Sequence, residues 1–151
     1  MTIMTQSVRG NDKQLQMNTI ISPQKKLADV ITVPGDKSVT HRSIILAGLA
    51  TGQSIVHNYL QGDDCLRTVA MLKEMGVKIS QNNDTLTIDG VGTLGLRQPD
   101  KTLYSGNSGT TIRLMAGVIA GQNITVEITG DESLSKRPMK RIIDPLQKMG
   151  V

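Results

Sequence analysis

Apolar residues recur at helical spacing near the middle of the chain. Leu66, Val69 and Leu72 stand three residues apart and would share one face of a helix. Gly76 follows this run at the position where a glycine commonly ends a helix. The pattern therefore predicts a helix over residues 64–75.

Shorter elements follow from the same reasoning. Two glycine turns, one at Gly35 and one at Gly106, each precede an apolar run that is long enough for a helix. Runs that are rich in β-branched residues predict strands. An asparagine-rich turn at 82–84 predicts a hairpin. Pro138 suits the first turn of a last helix, whereas Pro145 is predicted to kink or split that helix. The predicted helices cover residues 38–50 and 108–120, and the predicted strands cover 54–58, 78–80, 85–89 and 124–129.

The same order of elements occurs twice. Gly35 and Arg42 return as Gly106 and Arg113, 71 residues later. Three further short matches follow in the same order, at offsets of 69, 68 and 74 residues. Ordered matches with slowly drifting offsets indicate an internal duplication of a β-α-β-α-β-β unit.

The pattern also divides the chain into regions. Residues 1–24 are polar without periodicity and predict a flexible leader. Residues 25–34 predict a first strand that leads into the repeats. Residues 35–151 predict a partial domain whose second unit stops where its hairpin is expected. We therefore expect the N-terminal fragment of a longer protein.

Composition narrows the class of partner. The chain has no Phe or Trp and two Tyr, so its core is predicted to consist of aliphatic residues and the eight Met. Few aromatic faces and no Lys/Arg block argue against nucleic-acid binding. The net charge of +4 favours small anions instead.

The sequence gives little support for a metal site, a disulfide or a membrane-spanning segment. Cys65 is the one cysteine, and His41 and His57 are too far apart in the sequence to suggest a zinc site. No apolar run approaches the roughly 20 residues of a membrane span. We expect a cytoplasmic protein without a disulfide framework or a zinc site.

The first glycine turn, residues 34–42, combines features of an anion site. Gly35 would let the backbone approach a ligand, and the helix that follows offers free N–H groups. Lys37 and Arg42 supply cations and Ser38 a hydroxyl donor. The alternative interpretation is a capped helix with solvated charges.

The second turn, residues 105–113, repeats the device with small hydroxyls and Arg113. Gly109 is predicted to mark a place where the backbone touches a ligand, although a tight strand-to-helix turn would also need it. No Lys follows the glycines as in a Walker loop. Arg137 is predicted to form a cationic cluster with Lys37 and Arg42, or else to lie in an exposed charged loop.

The remaining reactive side chains have simpler interpretations. His41 is predicted to be an exposed helix residue rather than a general base. Cys65 is predicted to pack inside a helix rather than to act as a nucleophile. Four acidic residues are predicted to cap helices or orient cations: Asp63, Asp64, Asp131 and Glu132.

Three ordered motifs, at residues 34–42, 106–113 and 136–139, closely resemble the N-terminal motifs of the EPSP synthase family. The resemblance covers residues 28–151. It implies an α/β (α+β) fold, an enolpyruvyl transferase-type domain of repeated βαβαββ units. The chain would hold about one and a half units of a larger two-domain protein, and residues 25–34 would belong with the second domain.

The resemblance also implies an activity. The family transfers the enolpyruvyl group of phosphoenolpyruvate to the 5-hydroxyl of shikimate 3-phosphate and releases phosphate, in aromatic amino acid biosynthesis and without a cofactor. Lys37 would be catalytic and contact both substrates. Ser38 and Arg42 would hold shikimate 3-phosphate, while Gly109 and Arg137 would bind phosphoenolpyruvate. Asn107, Thr110 and Arg113 would shape the turn or contact the substrate-binding residues rather than the substrates. Asp64 would orient nearby cations.

The family's proton-transferring carboxylates lie in the second domain, so the resemblance implies no turnover and at best weak phosphate binding by this chain alone. The full-length protein would be a monomer that needs its C-terminal portion. Glyphosate occupies the phosphoenolpyruvate site in this family. Leu114 stands where many sensitive members have Pro, which predicts weaker inhibition.

Two other functions remain open. UDP-N-acetylglucosamine enolpyruvyl transferase shares the chemistry, but it typically has Lys-Asn in the first turn and a cysteine loop. The second alternative is a non-catalytic fragment that binds anions or complements a separate C-terminal piece.

Overall fold

The structure is a computed structural model that describes two strands near the N-terminus and then residues 30–151. The chain divides into two units, residues 1–33 and 34–151. In the first unit, β1 (Ile3–Val8) and β2 (Gln16–Ile21) form an antiparallel pair with Ile3 opposite Ile21.

This hairpin differs from the flexible leader predicted over residues 1–24. Both strands contain β-branched residues, such as Ile20, Ile21 and Thr19, which favour extended backbone. Interspersed Gln and Asn residues hide the strict alternation by which a strand is usually predicted.

The first strand predicted over residues 25–34 is not formed where the structure describes it. Residues 25–29 lie outside the described part, and residues 30–33 have no regular structure. Val30, Ile31 and Val33 are exposed. An extended segment becomes a strand only when a neighbouring strand takes its hydrogen bonds, and an apolar pattern alone does not show whether one is available.

The second unit contains most of the secondary structure. Its helices and strands follow the predicted order with shifted boundaries, except that a separate short helix precedes the last helix. They are α1 (Lys37–Leu49), β3 (Thr51–His57), α2 (Asp63–Glu74), β4 (Lys78–Asn82), β5 (Thr85–Val91), β6 (Leu103–Tyr104), α3 (Gly109–Ala120), β7 (Ile128–Thr129), α4 (Glu132–Ser135) and α5 (Lys140–Lys148).

The first repeat contributes a three-stranded antiparallel sheet. β5 lies in the centre, between β3 and β4. Leu86 and Ile88 of β5 are fully buried, while alternate residues of the strand are more exposed. The predicted hairpin turn is confirmed, and Asn83 adopts the left-handed conformation with φ of 51° that asparagine tolerates.

The second repeat contributes a β-α-β unit. β6 and β7 are parallel, and α3 connects them. The predicted strand over 124–129 forms only at Ile128–Thr129. Pro138 precedes α5, and the predicted split at Pro145 does not occur. The carbonyl that Pro145 leaves without a donor belongs to Arg141, an exposed residue whose carbonyl solvent can satisfy.

The core confirms the prediction from composition. Aliphatic residues and methionines of both repeats make up most of it, with Tyr59 as its aromatic member, and Met71, Met75 and Met115 are almost completely buried. The helix α2 ends as predicted. Gly76, with φ of 94°, donates its N–H to the Lys73 carbonyl at 3.0 Å.

Across the described residues, we find no helix with the length and apolarity that a bilayer crossing requires.

Candidate functional site

The predicted site lies at the first turns of three helices of the second unit. α1 and α3 each follow one of the glycine turns, and α2 packs against both of them. Asp36 caps α1 and accepts a hydrogen bond from the Val39 N–H at 2.7 Å. Ser108 caps α3 in the same way, with Thr111 as the donor.

Lys37, the first residue of α1, forms an ion pair with Asp64 in the first turn of α2. The Lys37 side chain remains 46% exposed and the Asp64 side chain 21% exposed. The pair therefore joins two helices and leaves the Lys37 ammonium open to a ligand. Ser38 and Arg42 lie exposed on the first two turns of α1.

Gly35 has a different role from the one predicted for it. A Cβ atom at this position would lie 2.0 Å from the carbonyl oxygen of Asn58. The glycine thus lets the first turn pack against the backbone of the loop after β3. The close approach predicted here is to this protein's own backbone.

The second turn is held by an equivalent loop of the second repeat. Gly106 has φ of 60°, and its carbonyl accepts the Asp131 N–H at 2.8 Å. Asp131 also caps α4 by accepting the Leu134 N–H at 2.7 Å. Each glycine turn therefore rests on the loop that precedes the second helical segment of its own repeat.

Two guanidinium groups converge on Gly109. A Cβ at Gly109 would lie 2.6 Å from Arg113 Nη1 and 3.1 Å from Arg137 Nη1. Arg113 Nη1 also donates to the Gly109 carbonyl at 3.1 Å. Within the described part of the chain, neither arginine belongs to an ion pair. Two like charges beside one backbone position favour an anion that neutralises both.

The other predicted site residues are distributed around this centre. Asn107 is exposed and Thr110 is half-buried. Asn107 lines a cavity of about 170 Å³ together with Asp63, Asp64 and Gly106. Arg137 lies beside Gly109 of the second turn, and its Nη2 donates to the Ser133 hydroxyl at 3.5 Å. Leu114 is 37% exposed on α3.

His41 is buried, so the prediction of an exposed helix residue was wrong. Its side chain is fully inaccessible, and Nδ1 lies 2.8 Å from the Thr68 hydroxyl. Desolvation, followed by the charge of nearby Lys37, lowers the pKa of His41 below its usual value. The polar sequence around His41 hid this burial, because the residue faces α2 from a helix of mixed character.

Cys65 is buried as predicted, on the side of α2 that faces the core. Burial raises the pKa of its thiol and disfavours the nucleophilic thiolate. The acidic residues also behave largely as predicted: Asp131 caps a helix, Asp64 holds Lys37, and Glu132 pairs with Lys136 at 2.6 Å.

A buried set of hydroxyls connects the helices, and the sequence did not predict it. The Thr68 hydroxyl lies 3.0 Å from that of Thr111, which donates to the Asp64 carbonyl at 3.0 Å. The Ser108 hydroxyl lies 2.7 Å from the same Thr111 oxygen. Polar residues among buried apolar ones, such as Thr68 between Cys65 and Leu72, are the signal that could have indicated it.

The site can therefore bind and position small anions. It offers helix N-termini, the exposed cations of α1 and the paired guanidiniums at Gly109. Among the described residues, no cluster of His, Cys, Asp and Glu has the composition of a metal site.

Comparison with known proteins places these features in a family. The sequence profile described as EPSP synthase (3-phosphoshikimate 1-carboxyvinyltransferase) matches residues 21–151. The 3-phosphoshikimate 1-carboxyvinyltransferase of Desulforamulus reducens is 53% identical over 135 residues, which are 89% of this chain and 32% of that protein. The enzyme of the same name from Oceanobacillus iheyensis is 53% identical over 82% of this chain and 29% of its own length.

Solved structures agree. EPSP synthase from Acinetobacter baumannii superposes with a TM-score of 0.77 at 49% identity, over 80% of this chain and 28% of the other. The chain thus spans about a third of the length of the relatives that it matches. The profile match over most of the sequence, the high identity and the shared fold show that the chain belongs to the EPSP synthase family.

Proposed function

We propose that this chain supplies the substrate-clamping part of a 3-phosphoshikimate 1-carboxyvinyltransferase. That enzyme transfers the enolpyruvyl group of phosphoenolpyruvate to the 5-hydroxyl of shikimate 3-phosphate and releases phosphate. The observation that carries the proposal is the convergence of Arg113 and Arg137 on Gly109, in a family whose relatives bear this enzyme's name. Both substrates are anions, and the site concentrates positive charge.

Lys37 acts on both substrates in this proposal. Its side chain stands at the start of α1 and remains about half exposed, and the Asp64 carboxylate orients its ammonium. A ligand phosphate or carboxylate would meet the ammonium together with the α1 N-terminus, and the two favour the same charge. Lys37 is therefore the residue of this chain that we expect to affect turnover most.

Shikimate 3-phosphate binds along α1. Ser38 offers a hydroxyl donor at the N-terminus of α1, and Arg42 offers a guanidinium one turn further along. The spacing of four residues places both side chains on one face of the helix. This face is exposed, so a phosphate reaches both groups without displacing packed side chains.

Phosphoenolpyruvate binds at the second turn. Arg137 and Arg113 lie beside Gly109, and a guanidinium fork suits the bidentate recognition of phosphate or carboxylate. The absence of a side chain at Gly109 gives the arginines the space they occupy. Arg113 also bonds the Gly109 carbonyl, so Arg137 is freer to turn toward a ligand.

The chemical contribution of this chain is orientation and charge stabilisation. Holding two anionic substrates together converts their encounter into an effectively unimolecular reaction, and fixed cations stabilise charge that develops on the leaving phosphate. Its acid and base candidates do not suit proton transfer: Asp64 is paired with Lys37, and His41 is inaccessible. We assign the proton transfers to the remainder of a longer, monomeric cytoplasmic enzyme.

A titration of the chain followed by amide NMR tests this proposal. Shikimate 3-phosphate at millimolar concentration should shift the amide signals of Lys37 and Ser38, whereas shikimate without phosphate should not. Lys37→Met should remove the response, and Lys78→Met, which changes an exposed lysine on β4, should preserve it. Equal responses to shikimate and its phosphate, or no response in the folded wild-type chain, would contradict the proposal.

A further inference from the structure

The buried hydroxyls between α1, α2 and α3 have hydrogen bonds whose directions are fixed by one acceptor. Thr111 must donate its hydroxyl proton to the Asp64 carbonyl, because a carbonyl oxygen only accepts. The Thr111 oxygen therefore accepts from its other two partners. These are the Thr68 hydroxyl at 3.0 Å and the Ser108 hydroxyl at 2.7 Å.

The same reasoning extends to His41. Since the Thr68 proton points to Thr111, the Thr68 oxygen accepts a hydrogen bond from the N–H of His41 Nδ1, 2.8 Å away. His41 thus carries its proton on Nδ1. Its Nε2 is buried without a hydrogen-bond partner in the part of the chain that the structure describes. The chain of donors runs from α1 through α2 to α3 and back to the α2 backbone.

We propose that His41, Thr68 and Thr111 are positioning residues, which hold the Lys37–Asp64 pair in fixed register with the Gly109 turn. The donor chain ends on the main-chain carbonyl of Asp64, whose side chain binds Lys37. Thr111 itself lies two residues after Gly109. The expected effect on substrate binding rests on the proposed function. The donor chain itself can be tested without any substrate.

Burial makes this arrangement sensitive to the loss of one member. Thr68, Thr111, Ser108 and His41 are almost completely inaccessible to solvent. A hydroxyl removed from such a set leaves its partners unsatisfied, and water cannot replace it without a rearrangement of the helices. A shift between α1 and α3 would move Lys37 relative to Arg113 and Arg137, and so would misalign the two substrates.

The substrate-free test is the tautomer of His41, measured from the ring nitrogen NMR shifts of the whole chain. The chain has two histidines, and the exposed His57 provides an internal reference. We expect neutral His41 with the proton on Nδ1, and a change in this tautomer ratio in Thr68→Val. A proton on Nε2 in the wild type, or a charged ring near neutral pH, would overturn the direction of the donor chain.

The positioning role is tested with a matched pair of variants. Thr111→Val keeps the shape of the side chain and removes its hydroxyl, whereas Thr111→Ser retains the hydroxyl. We expect Thr111→Val to weaken shikimate 3-phosphate binding in the amide titration by roughly threefold to thirtyfold. Thr111→Ser, and Thr51→Val on the exposed start of β3, should stay within about twofold of the wild type.

The outcomes separate this inference from the proposed function. Equal affinities of Thr111→Val and wild type would overturn the positioning role. A wild-type chain with the Nδ1 proton but without shikimate 3-phosphate binding would support the donor chain and contradict the proposed function. If Thr111→Val does not fold, the wild-type tautomer tests the donor chain. The affinities of Thr68→Ser and Thr68→Val for shikimate 3-phosphate then test the positioning role, and equal affinities would overturn it.

Discussion

Glycines at three positions of the second unit serve three different purposes. Gly35 allows contact between two backbone segments, Gly76 ends α2 in a left-handed conformation, and Gly109 makes space for two guanidiniums. The sequence marks each of them as a turn residue, but it does not show which neighbour fills the space. The sequence therefore predicted that these glycines lie in turns, whereas the role of each one depends on its tertiary contacts.

Substitution of Gly109 tests whether this space matters for binding. In Gly109→Ala the new methyl group would meet Arg113 Nη1 at 2.6 Å, so both arginines must move. We expect the affinity for phosphoenolpyruvate, measured by amide titration, to fall roughly tenfold to a hundredfold. Gly117→Ala, in the same helix with open space around it, should keep the affinity and stabilise the fold by about 0.5–1 kcal/mol. Similar affinities of the two variants would refute this account.

Burial of neutral His41 predicts a pH dependence of stability. Its pKa is lowered in the folded chain by desolvation and by Lys37, with Asp64 acting in the opposite direction, so the unfolded chain binds more protons. The free energy of unfolding should therefore decrease as the pH falls below about 6.5 toward the folded pKa. Urea unfolding at several pH values measures this slope. His41→Gln should reduce the slope and the exposed His57→Gln should keep it, and the reverse order would disprove the assignment.

At the scale of elements, the repeated pattern predicted more than any single motif. The spacing of Leu66, Val69 and Leu72 gave α2, and the duplication gave α1 and α3 as equivalent helices. The short strands were harder. β6 and β7 contain two residues each, and their pairing depends on neighbours distant in the sequence. The hairpin in residues 1–24 was missed because polar residues interrupt its alternation.

The first turn offers a prediction at this scale. Gly35→Ala would place a methyl group 2.0 Å from the Asn58 carbonyl, and a backbone atom cannot give way as a flexible side chain does. We expect a loss of about 1–3 kcal/mol in the free energy of urea unfolding. Gly62→Ala, at the other end of the same loop, meets only the Leu60 side chain at 3.6 Å and should cost less. A Gly35→Ala chain as stable as Gly62→Ala would show that this contact is not required.

At the scale of the whole molecule, the site belongs to three helices rather than to one motif. The sequence predicted the two glycine turns before α1 and α3 and the cations beside them, because those features are local and repeated. It did not predict the donor chain from His41 to the Asp64 carbonyl, which exists only when the three helices are packed. The sequence likewise did not predict that Arg137 lies with Arg113 beside Gly109.

The family relationship allows one direct test of function. This chain can be joined after Val151 to the remaining portion of the Desulforamulus reducens relative, whose matching region is 53% identical. The folded fusion should release phosphate from phosphoenolpyruvate only when shikimate 3-phosphate is present. Lys37→Met and Arg137→Met should each lower kcat/KM by roughly a hundredfold or more, whereas Lys78→Met should not.

Phosphate release by this fusion and by its Lys37→Met variant therefore decides whether the chain clamps the two substrates. Our prediction is turnover that depends on shikimate 3-phosphate and is nearly abolished without the Lys37 ammonium. A folded fusion without turnover, or one that works equally well with methionine at position 37, would contradict it.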